Sequence, residues 1–67
     1  MKYTVTINNE TGIIADYRNM SKKEAIKAAR KESSEGCNVF IYWSRSSDGQ
    51  NGYLNPDGNH AITGKSW

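Results

Sequence analysis

Apolar and polar residues alternate from Lys2 to Asn8, with Tyr3, Val5 and Ile7 on one side and Lys2, Thr4, Thr6 and Asn8 on the other. A period of two marks a strand with one buried and one wet face, so Lys2 to Asn8 is predicted as the first strand. Asn8-Asn9-Glu10-Thr11-Gly12 supplies turn residues that tolerate positive φ. Ile13 to Tyr17 is predicted as the return strand of a hairpin, with Ile13, Ala15 and Tyr17 on one face and Ile14 and Asp16 on the other. The period then changes. Ser21 and Glu24 form an S-x-x-E capping box, flanked by Met20 and Ala25 as a small hydrophobic staple. The helix is predicted over Lys22 to Ser34 and is stopped by Gly36. Its apolar stripe is Ala25, Ile26, Ala29 and the small Ser33, side chains short enough to bring the helix backbone close to a sheet.

Asn38 to Arg45 (NVFIYWSR) is the densest β-branched and aromatic run in the chain. Val39, Ile41 and Trp43 point to one face of the predicted strand, Phe40 and Tyr42 to the other. Ser46-Ser47-Asp48-Gly49 is a turn, Gln50 to Asn55 a short strand weakened by Gly52, and Asn55-Pro56-Asp57-Gly58-Asn59 a second turn. His60 to Thr63 is predicted as a last short strand, and Gly64 to Trp67 as a tail. The order is ββαβββ. With the third strand returning beside the first, the chain is an α+β domain, residues 1–67, whose antiparallel sheet has the order 2-1-3-4-5. One helix covers one face of such a sheet and leaves the other bare.

Composition narrows this picture. With 67 residues, 36% of them hydrophobic, the core is a single thin layer between helix and sheet. Cys37 is the lone cysteine, so no internal disulfide forms; it reads as a small half-buried hydrophobe in a reducing compartment. No apolar run approaches the ~18 residues of a membrane span, and the N-terminus lacks the apolar core of a secretion signal. A cytoplasmic protein without a membrane partner is expected.

Three patterns invite a chemical reading and fall short of it. Gly64-Lys65-Ser66 has the end of a phosphate-binding loop, but position 59, where that loop needs glycine, is Asn59, and too few residues follow for the required helix. Asp48-Gly49-Gln50-Asn51-Gly52 lacks the later oxygen ligands of a calcium loop and fits a plain turn. His60, the single histidine, makes with Cys37 at most two soft ligands where structural zinc takes four, and no nucleophile accompanies it as a base. No enzyme, cofactor or metal is expected.

Two surfaces remain. Lys23, Lys27 and Arg30 recur at i, i+4 and i+7, with Lys31 adjoining, as a basic ridge opposite the Ile26/Ala29 stripe. It suits phosphates or an acidic protein surface; the plain alternative is a solvated helix face moderated by Glu24, Glu32 and Glu35. The bare sheet face should carry Phe40, Tyr42 and Tyr53, bordered by Arg45, and suits stacking on bases or contact with a protein. The alternative there is that Trp67 folds back over it. The net charge of +2 is too small to argue nucleic-acid binding alone and favours a protein partner.

The helix MSKKEAIKAARKE, the strand NVFIYWSR and the turn-strand-turn DGQNGYLNPDGN, in a chain of this size, resemble the small anti-CRISPR proteins of phages and mobile elements. In particular the chain resembles the compact type I-F inhibitors with an antiparallel sheet and a single helix, and the resemblance is one of element order and size over most of the chain. It implies a stoichiometric inhibitor in the host cytosol that binds an RNA-guided surveillance complex and blocks access of target DNA. Basic and aromatic surface residues would then engage protein subunits, or DNA alongside them. The +2 charge speaks against mimicry of acidic DNA. The second expectation is a small accessory protein that binds DNA or RNA through the helix ridge and aromatic face.

Overall fold

A computed structural model describes residues 2–67, without the side chains of Ile13 and Ile14, so the assignment of those two isoleucines to opposite faces lies outside the described residues. The elements are β1 (Lys2–Asn9), β2 (Gly12–Met20), α1 (Lys22–Ser34), β3 (Asn38–Ser44), β4 (Asn51–Leu54) and β5 (His60–Ala61). They build one five-stranded sheet in the order β2-β1-β3-β4-β5, antiparallel at every pairing, with α1 packed against β1 and β3. This is the α+β architecture that the alternation predicts.

Three strands differ by two residues or more from their sequence pattern; of these, β4 gives up Gln50 and Asn55 at its two ends. β2 continues three residues beyond Tyr17, because the ladder to β1 absorbs an extra residue between the pairs Val5/Tyr17 and Tyr3/Met20, where Asn19 takes φ 61°. A bulge breaks the period of two, so alternation could not carry the strand past it. β5 is only His60–Ala61; Ile62, predicted in strand, is 90% exposed.

Local chemistry closes the helix at both ends. The Ser21 hydroxyl accepts the Glu24 backbone N–H and the Glu24 carboxylate accepts the Ser21 N–H, each at 3.2 Å. At the other end Gly36, at φ 89°, donates to the Ser33 carbonyl, and Cys37 to that of Glu32. This paired arrangement satisfies carbonyls that the helix leaves open, and glycine meets its left-handed turn without Cβ strain.

The core lies between α1 and the sheet: Tyr3, Val5, Ile7, Val39, Ile41, Trp43 and Leu54 beneath Ala25 and Ala29. The register sets Val5 opposite Ile41, Ile7 opposite Val39 and Tyr3 opposite Trp43, so both central strands turn their apolar sets to the helix. Full burial of a Val or Ile side chain contributes about 1.5–3 kcal/mol, and a slip of one residue would turn the set to water. Ile26 is not in the buried stripe. It sits half-buried at the margin, because Ala25 and Ala29 alone point straight at the sheet.

Trp43 lies at the margin of this layer and is covered by other means. Opposite it Gly52 has no side chain, and a Cβ there would stand 3.2 Å from the indole Nε1 and 2.6 Å from the Ala61 carbonyl oxygen. The indole therefore fits against β4, stacked at 5.0 Å on His60, while the Tyr3 hydroxyl meets His60 Nε2 at 3.0 Å. His60 is itself exposed, a surface side chain resting against the rim of the core at this end.

Candidate functional site

The bare face of the sheet follows from strand alternation. On β3, Phe40 and Tyr42 point away from α1, and the register places Thr6 opposite Phe40, and both Thr4 and Tyr53 opposite Tyr42. Tyr53 stands edge-on to both neighbours, at centroid distances of 6.3 Å to Phe40 and 5.9 Å to Tyr42. Phe40 and Tyr53 are half-buried in this cluster, and Tyr42 keeps 37% of its surface exposed. A shallow groove of ≈ 390 Å³ runs over the three rings, Thr4, Thr6 and Asp16. Its polar border is fixed: Asp16 accepts from the Thr6 hydroxyl at 3.1 Å and from Arg18 Nε at 3.2 Å.

Arg45 does not border this groove. Two residues beyond Trp43, it falls on the opposite face, with its guanidinium carbon 6.0 Å from the Trp43 ring centroid. Nε and Nη2 donate to the two Asp48 oxygens at 3.0 and 2.8 Å, and Nη2 donates to Gln50 Oε1. The bond from Arg45, then the Gln50 backbone N–H, holds the Asp48 carboxyl below its usual range. The cation beside the aromatic face is Arg18, paired with Asp16. Arg45 serves the turn.

The tail leaves the aromatic rings to a different residue than expected. Gly64 packs on Tyr53, where a Cβ would stand 2.8 Å from the ring. Trp67 packs against the core cluster instead, donating its backbone N–H to the Val39 carbonyl and its indole N–H to that of Leu54, both at 2.8 Å. Between them the buried Asn55 accepts the Lys65 N–H and donates to the Thr63 carbonyl.

Lys23, Lys27, Arg30 and Lys31 are all exposed on α1. The first three share a groove with Lys22 and Ile26, so Ile26 lies among the cations, not opposite them; Lys31 stays outside it. Among the described residues the ion pairs are Arg18–Asp16 and Arg45–Asp48, and no helix cation joins one. The ridge sits on the helix side of the sheet and the aromatic rings on the other, so the structure keeps the two predicted surfaces apart. Cys37, next to the start of β3, and His60, stacked on Trp43 near its end, are likewise separated.

Sequence reasoning missed Thr4, Thr6, Asp16 and Gly64. Their side-chain types carry no signal of their own; strand register and the tail path bring them to the rings. Comparison of the chain with protein-family models, curated proteins and solved structures finds no match.

Proposed function

We propose that the protein is a non-catalytic binding protein that docks a protein partner on the bare face of its sheet. The observation that carries this reading is the Phe40, Tyr42 and Tyr53 cluster on the face that α1 leaves uncovered. Tyr and Phe are enriched in protein interfaces, where a few large rings carry most of the binding energy. The rigid strands beneath hold the rings in place, so little side-chain freedom is lost on docking.

Its specific form, supported by the resemblance in element order and size, is a stoichiometric inhibitor of the anti-CRISPR kind. It acts in the host cytosol, binding an RNA-guided surveillance complex and blocking target DNA. The immobilised protein should retain a purified surveillance complex and suppress its binding to target DNA at near-equal molar ratio. Phe40→Ala with Tyr42→Ala should abolish both effects while the circular dichroism spectrum stays that of the parent. A complex that passes unretained and binds its DNA normally would exclude the anti-CRISPR form.

An accessory protein that lays one nucleic-acid strand across both ridge and rings is disfavoured, since the sheet stands between them. Each surface has to be read separately.

A further inference from the structure

We infer that the exposed flank of α1 is a second binding site, for the phosphate backbone of nucleic acid. The inference does not rest on the protein-docking reading above. α1 carries five of the nine Lys and Arg residues against two acids, so the helix alone exceeds the chain's net +2. The two signs are also segregated. On a wheel of 3.6 residues per turn, Lys22, Arg30, Lys23, Lys27 and Lys31 occupy roughly one half, and Glu24, Glu32 and Glu35 the other. Glu24 is further engaged by the Ser21 cap. Among the described residues none of these five cations forms an ion pair, whereas Arg18 and Arg45 each do. Lys22 to Arg30 spans about 12 Å of helix axis at ~1.5 Å per residue. Measured along the axis of a duplex, where each strand advances ~3.4 Å per phosphate, that length covers three to four phosphates of one strand.

The chemistry of this flank favours a polyelectrolyte over the other anionic surfaces. A protein interface needs buried apolar anchors at its centre. Here Ile26 is the one large apolar side chain in the groove, and half of it is already committed to the core. A membrane surface needs an amphipathic helix with a free apolar face. The apolar face of α1, Ala25 and Ala29, is sealed against the sheet. Long cationic stems around a shallow floor suit phosphates read for charge and spacing, without base contacts.

Fluorescence anisotropy with a labelled 20-base-pair duplex tests this, with polyglutamate and phosphatidylserine vesicles as competing arms. Binding should weaken about 100-fold between 50 and 200 mM salt, as expected for roughly four neutralised phosphates. Lys23→Gln with Lys27→Gln should lower the slope of log K against log salt by about 2 units. Lys65→Gln, removing a cation from the tail, should leave that slope unchanged. Absence of binding at low salt, or equal slopes for the double variant and the parent, would overturn the inference. Tighter binding of polyglutamate or of vesicles than of the duplex would do the same. The assay contains no protein partner, so its failure is separate from a failure of the sheet face.

Discussion

Gly64 lies directly on the ring of Tyr53: a Cβ at position 64 would stand 2.8 Å from Cδ1 and 2.9 Å from Cγ. Cγ is tied closely to the β4 backbone and has little room to yield. Gly64→Ala should therefore lower stability by about 1–3 kcal/mol, read from the urea midpoint. Gly52→Ala should lower it further, since the atom in its way is a backbone oxygen, that of Ala61, at 2.6 Å. Equal stability of Gly64→Ala and parent would mean that the tail does not rest on the ring.

Neighbouring residues of β3 should respond to different degrees. Ile41 is fully buried beneath the helix, and Ile41→Ala should lower stability by about 2–5 kcal/mol. Tyr42→Ala should lower it by less, losing an edge-on aromatic pair worth about 0.5–1.5 kcal/mol beyond the area its ring buries, because 37% of the residue is already exposed. Comparable losses in chemical denaturation would place both side chains in the core.

Asn55 is 4% exposed and holds the tail by two side-chain hydrogen bonds. Asn55→Ala leaves the Lys65 N–H and Thr63 carbonyl without those partners and should lower stability by about 2 kcal/mol. In hydrogen exchange the amides of Lys65 and Trp67 should lose protection while those of Val5 and Ile41 keep theirs. Unchanged protection of Lys65 would show that the tail is held by Trp67 alone.

Acid should weaken the fold through two carboxylates at identified sites. The backbone N–H and then the hydroxyl of Ser21 lower the pKa of Glu24, and Arg45 lowers that of Asp48. Near the ordinary carboxylate range of ~4 the unfolded chain binds more protons at these groups than the folded one. Their contribution is thus complete above that range and is lost as pH falls through the lowered folded values. Ser21→Ala should lower stability by about 1 kcal/mol at neutral pH. Asp48→Asn should flatten the fall of Tm on acidification; an acid limb as steep as the parent's would remove Asp48 from this role.

Alternation in Lys2–Asn8 and Asn38–Arg45, with the box Ser21/Glu24, was enough to read the helix bounds and the split of β3 into two faces, while the strand order followed from setting the third strand beside the first. These signals are local: a period of two, a cap and a stop each lie within a few residues of what they determine. The misplacements were equally physical. Arg45 follows Trp43 by two and belongs on its face. Ile26 sits one residue off the Ala25/Ala29 axis and therefore on a flank.

The sequence by itself determined which side chains of each element share a face, because pleat and helix pitch depend only on spacing along the chain. Only the tertiary structure decided what meets across elements: Thr6 beside Phe40, Gly64 on Tyr53, His60 on Trp43, and the basic ridge on the opposite side of the sheet from the rings. Such contacts, that of Tyr3 with His60 among them, join residues up to 57 positions apart. They depend on register, on a bulge at Asn19 and on the path of the tail through Asn55, none of which leaves a repeating pattern in the chain.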